Sequence, residues 1–171
     1  MNKIAIHRKY LKALETLVYL SNKDIRQYWV LKAIYIADKE HLKKYGRQIF
    51  DDRYIAMKWG PVPSLVYDIV KSVRKDANSV FSDPDPSTAL EAPDNKTVKP
   101  KRPAKTEFLS KSEIQCLDDA YNKIKWFKFL ELHDFARDEA FDAVEQDEDM
   151  SISNIIMTLD NGKEVLEYIT G

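Results

Sequence analysis

Between Tyr28 and Ala37 the chain reads YWVLKAIYIA, and Lys32 is the one charged side chain in the run. So wide an apolar belt does not suit a helix lying on a surface. It predicts a helix buried at the centre of the fold, to which every other element must be fitted. Asp24 can cap this helix, with Gln27 completing a box-like start, and Gly46 is placed to end it in a left-handed conformation. The predicted span is roughly Ile25 to Tyr45.

The segment after this helix narrows the choice of fold. Residues Arg53 to Trp59 alternate, with Tyr54, Ala56 and Lys58 on one face and Ile55, Met57 and Trp59 on the other, which is the period of a half-buried strand. Gly60 permits a tight turn, while Pro61 and Pro63 fix φ and remove donors, so the strand is expected to stop at this Gly-Pro-Val-Pro corner. Pro63 suits a helix start, and a helix from Ser64 to about Arg74 would bury Leu65, Val66, Ile69, Val70 and Val73.

The flanking segments support a mainly α chain. Leu11, Leu14, Leu17 and Val18 form an apolar stripe over residues 8 to 20. Five of the seven prolines fall between Ser82 and Pro103, which excludes a continuous helix there. A partly ordered loop is expected, with Lys96 to Lys101 pairing with Lys105 to Leu109 beside the first strand, because a lone strand leaves its backbone groups unpaired. Ser110 and Glu113 form a capping box opening a helix with Ile114, Leu117, Tyr121 and Ile124 on one face. Phe127 to Leu132 reads as buried, His133-Asp134 as a helix start, and Ile152, Ile155, Ile156 and Leu159 as a further stripe broken at Asn161-Gly162. The expectation is α+β: mainly α with a small antiparallel sheet or hairpin. Residues 1–171 form a single compact domain around a buried central helix, with a proline-rich loop or hairpin at about 82–106.

A net charge of −1 conceals a division along the chain. Residues 1 to 75 carry 16 of the 27 Lys and Arg and 7 of the 28 Asp and Glu, leaving the remainder strongly acidic. A basic face for nucleic acid or an acidic protein would produce this pattern, and so would ordinary solvated helix faces. Residues 131 to 149 hold nine acids against Arg137 alone, an acidic surface available for docking a basic partner. No apolar run approaches the roughly 20 residues of a spanning helix, and the N-terminus lacks a signal-peptide core, so a cytoplasmic location is expected. Cys116, the single cysteine, falls on a helical pattern that suits a buried thiol.

Catalytic motifs are not legible. The four glycines, Gly46, Gly60, Gly162 and Gly171, are too dispersed to cradle a phosphate, and no Gly-x-Ser-x-Gly elbow occurs. Asp38 and His41 share a helix face, yet no Cys pair or His-x3-His string completes a metal set, so ordinary polar contacts are expected of them. No metal, cofactor or enzymatic activity is expected. Lys32 should either extend along its aliphatic stem to the surface, the default, or meet a carboxylate or carbonyl oxygen. Arg53, Lys58, Trp59 and Tyr67 are the candidate partner-binding residues, since Trp, Tyr and Arg dominate binding hot spots, although a core position suits Trp59 and Tyr67 better than an interface one.

Four blocks carry a resemblance: LKAIYIADKEHLKKYGRQI, DDRYIAMKWGPVPSLVYDIV, FLSKSEIQCLDDAYNKI and LHDFARDEAF, which together cover most of residues 25 to 141. In them the chain resembles the Panacea-domain family, the SocA-like antitoxins, formerly a phage-associated domain of unknown function. The second block is the specific one. The motif comprises Lys32, Asp38, His41, Gly46, Tyr54, Gly60, Pro61, Val62 and Pro63, read as structural; Phe141 stands where the family commonly has Trp. The resemblance implies a mostly helical domain with a small sheet and no known catalytic residues. It further implies a bacterial or phage-borne antitoxin that neutralises a cognate toxin, encoded by the adjacent gene, by binding it directly. Family members are encoded beside very different toxins, so the target stays open. The alternative is a nucleic-acid-binding regulator with a winged-helix-like surface.

Overall fold

The computed structural model describes residues 2–76 and 80–171. Its elements, in order, are helices α1 (Lys3–Ser21) and α2 (Gln27–Tyr45), strands β1 (Tyr54–Met57) and β2 (Gly60–Pro63), helix α3 (Ser64–Arg74), and strands β3 (Leu90–Asp94) and β4 (Thr97–Pro100). Helices α4 (Lys111–Ile124), α5 (Phe129–Ala136) and α6 (Glu139–Asp142), strand β5 (Asp149–Met150), and helices α7 (Ile152–Met157) and α8 (Gly162–Thr170) complete the chain. The architecture is mainly helical with small antiparallel sheets.

Helix α2 is the buried centre the apolar run predicted. Val30, Leu31, Ala33, Ile34 and Ala37 enter one hydrophobic cluster with α1, α3, α4 and the β3–β4 hairpin. Tyr35 and Leu42, from the same helix, enter a second with Tyr54, Met150, Ile155, Ile156 and Val165. One helix therefore walls two cores. Its C-terminus matches expectation, with Gly46 left-handed at φ 69. Its N-terminus does not: the cap position is Arg26 and makes no side-chain cap bond. Asp24 instead accepts the Arg26 amide at 2.9 Å and its guanidinium at 2.6 Å. The first amide, Gln27 N–H, donates to Lys96 O at 2.9 Å, so the β3–β4 hairpin satisfies an end that a side chain was expected to cap.

The Gly-Pro-Val-Pro corner is a strand, not a stop. It pairs antiparallel with β1, Ile55 opposite Val62 and Met57 opposite Gly60, with Lys58 and Trp59 as the connecting turn. The sheet order is β2-β1-β5. Ala56 exchanges backbone bonds with residues 147 and 148 on the β5 side, so by alternation Ile55 and Met57 address β2. Their partners Gly60 and Val62 have amides, whereas Pro61 and Pro63 face the free edge, where no donor is required.

Helix α3 starts at Ser64, as predicted, although Pro63 makes no cap bond. Asp52 supplies the cap from across the turn, accepting Leu65 N–H at 2.9 Å and Val66 N–H at 3.3 Å. The proline-rich segment holds a hairpin, but its strands are β3 and β4, in a separate sheet lying on α1 and α3. Residues Lys105 to Leu109 form no strand; Thr106–Phe108 is a short 3-10 turn. The partner that β1 needs is supplied by β2, which leaves the hairpin free to pack elsewhere. Buried Glu15 ties the following segment to α1, taking Arg102 through both oxygens at 2.8 Å and the Lys105 amide at 2.8 Å.

The capping box opens α4 as expected, Glu113 Oε2 accepting Ser110 N–H at 2.8 Å. Buried Glu113 also takes Arg47 at 2.9 Å and pairs with Lys12, so one carboxylate joins α1, α4 and the loop after α2. Cys116 is buried, as expected. Two expectations fail in α5. His133 and Asp134 lie inside this helix rather than at its start, and of the apolar run Phe127 to Leu132 only Leu132 is buried. Phe129 and Leu130 face outward because α5 lies at the rim of the molecule and turns one apolar face away from α2. Ile155 and Ile156 are buried, while Ile152 is exposed.

Candidate functional site

The β1–β2 turn brings Lys58 and Trp59 beside the start of α2 and the first turn of α5. Trp59 is 48% exposed, and its ring meets Phe129 edge-on at 5.6 Å and His133 at 5.8 Å. Tyr28 packs on Phe129 at 4.7 Å and donates its hydroxyl to Trp59 O at 2.8 Å, fixing the turn to α2. Lys58 Nζ lies 4.9 Å from the Trp59 ring, within cation–π range. These side chains, with Met57, Val62 and Tyr67, border a groove of about 630 Å³.

Lys32 lies in the lining of that groove and is 1% exposed, so it does not snorkel. Its Nζ donates to Pro61 O at 2.6 Å and sits 4.8 Å over the Tyr28 ring. The stem is held by α2 against Gly60 and Pro61, so the ammonium ends in the wall of the groove rather than at the open surface. Burial pushes its pKa down to about 7. Gly60 is required here twice over. Its φ of +117 disfavours any side chain, and a Cβ would stand 3.2 Å from Lys32 Cε. Gly60→Ala should therefore cost about 2 kcal/mol in urea denaturation, from backbone strain plus displacement of Lys32.

Of the four expected contact residues, Lys58, Trp59 and Tyr67 line this groove and Arg53 does not. Arg53 pairs with Asp149 at 2.8 Å and borders a different cavity, of about 540 Å³, with Asp52 and Asp68. Tyr28 and Phe129 were not foreseen. The signal for Phe129 lay in its context: WFKFLELHDF places aromatic or aliphatic residues on every helix face, more than one buried stripe can absorb.

The other motif residues brace α2. Asp38 accepts Ile49 N–H at 2.8 Å, Tyr54 O–H at 2.6 Å and Gln48 at 3.3 Å, while burial pushes its carboxyl up to about 6. His41 addresses different partners. Its Nδ1 meets Arg47 O at 2.8 Å, which makes that nitrogen the N–H donor, and its Nε2 meets Ser112 Oγ at 3.0 Å. Among the described residues no group of three or more His, Cys, Asp or Glu is placed to hold a metal.

The charge division resolves largely inside the molecule. Ten of the sixteen basic residues in the first 75 form ion pairs, several with acids of the second half: Lys12 and Arg47 with Glu113, Lys23 with Asp118, Lys39 with Asp138, Lys43 with Asp160 and Arg53 with Asp149. The acidic stretch is likewise partly engaged, since Asp138 takes the Tyr35 hydroxyl at 2.6 Å and caps α6.

A buried helix walling two cores, a strand–turn–strand ending in Gly-Pro-Val-Pro, and an aromatic groove at that turn define an α-rich domain of small-sheet type. The chain belongs to the antitoxin SocA-like, Panacea domain family, whose model matches residues 30–141. The match runs from Val30, within α2, to Phe141 and so includes Lys32, Gly60 and Pro61. No curated protein and no solved structure matches the chain. No helix among the described residues is long and apolar enough to cross a membrane.

Proposed function

We propose that this protein is an antitoxin that neutralises a cognate toxin, encoded by the adjacent gene, by binding it directly. It works in the cytoplasm as a single domain spanning residues 1–171, and it is a binder rather than a catalyst. The observation that carries the reading is the exposure of Trp59 and Phe129 at the turn of the family's most specific motif. Large aromatics left uncovered beside a groove are the usual anchors of a protein interface. Lys58 and Tyr67 extend that contact surface, and Arg53 lies outside the groove. A stable complex would bury on the order of 1,600 Å², more than the groove alone, so flanking surface takes part as well.

Co-expression with the product of the adjacent gene tests this. Growth arrested by that product should be restored, and the two proteins should elute together from gel filtration. Persistent arrest with separate elution would end the proposal.

A further inference from the structure

We infer that the groove receives a carboxylate-bearing apolar segment of the toxin, its apolar side chain held between Trp59, Tyr28 and Phe129 and its acid group met by lysines. The inference rests on the antitoxin reading and names the chemistry of the partner. Among the described residues four cationic side chains line the groove, Arg26, Lys32, Lys58 and Lys96, and no Asp or Glu does. Arg26 is committed to Asp24 and to Lys125 O. Among the described residues neither Lys58 nor Lys96 has an ion-pair partner, and both are exposed at the rim. Asp134 acts on the Tyr28 hydroxyl from α5 but does not line the groove.

The floor is as informative as the rim. An ammonium carries three donors, and among the described residues Pro61 O is the one hydrogen-bond acceptor that meets Lys32. Such a group inside an apolar wall is costly unless an anion arrives to complete it. The walls accept an aromatic or aliphatic side chain, and the volume of about 630 Å³ holds several residues. A neutral apolar peptide would leave the cations uncompensated, and a basic one would be repelled.

The purified product of the adjacent gene is titrated by calorimetry into the wild type and three variants, each first checked by circular dichroism. Trp59→Ala and the double change Lys58→Glu with Lys96→Glu alter exposed side chains and keep the fold; Lys32→Met keeps the length and apolar volume of the buried stem. Each should weaken binding at least tenfold. Affinities of the two surface variants within twofold of wild type, or tighter binding by the charge-reversed one, overturn the inference while a wild-type complex leaves the antitoxin reading standing. Retained affinity in Lys32→Met overturns the inference as stated, since it has the floor ammonium meet the acid group. A wild type that neither binds nor restores growth overturns both.

Discussion

Lys32→Met should make the protein more stable, by about 2 kcal/mol at pH 7, while weakening binding of the proposed toxin partner. The two effects have one origin. Replacing buried ion pairs by apolar groups of similar volume stabilises by about 1–4 kcal/mol, and a lone buried ammonium carries the same desolvation cost, against which leaving the Pro61 carbonyl unpaired costs about 1 kcal/mol or more. Burial depresses the Lys32 pKa to about 7 in the fold, against an ordinary value of 10.5. A depressed folded value means that the lysine's contribution is fully present above pH 10.5 and is lost as pH falls through 7. Wild-type stability should therefore rise by about 3 kcal/mol between pH 7 and 9.5 from this group alone. Urea denaturation at those two pH values reads both effects. Lys32→Met should lack that rise, and a variant less stable than wild type at pH 7 would show that the ammonium supports the fold.

Asp38→Ala should have the opposite sign and a larger size, a loss of about 3–4 kcal/mol, because it orphans two buried donors, the Ile49 amide and the Tyr54 hydroxyl. Those two bonds tie the loop after α2 and the strand β1 to the central helix. Asp38→Asn keeps an acceptor for the amide and removes a charge that burial already disfavours, so its cost should stay below about 1 kcal/mol. Urea denaturation of both variants at pH 7 separates the roles. Equal losses would assign the stability to the charge itself rather than to the acceptor geometry.

Local signals were legible wherever the chain solves its problem nearby. Gly46 ends α2, Ser110 and Glu113 box α4, and α3 runs from Ser64 to Arg74 as its apolar spacing predicts. Signals failed where the partner lies far along the chain. Asp52 caps α3 from twelve residues upstream, and Lys96 completes α2 from a hairpin about seventy residues away. Neither leaves a local pattern. Proline misled in β2 because its cost depends on which way a missing amide points, and that is fixed by register. The candidate site was half legible. Lys58, Trp59 and Tyr67 were placed by their residue types, whereas Phe129 requires knowing that α5 sits at a rim, and Lys32 requires knowing that Gly60 and Pro61 lie against it.

The outward edge of β2 is closed to further strands. Pro61 and Pro63 present no amide there, and the Pro61 carbonyl is already taken by Lys32. A strand laid along this edge would find no donor at either proline and no free acceptor at Pro61. Intermolecular β-augmentation is thus blocked beside the very aromatics that would otherwise invite it. Whatever docks at Trp59 must be recognised by its side chains, and copies of this protein held at high concentration are kept from zipping together through the same surface.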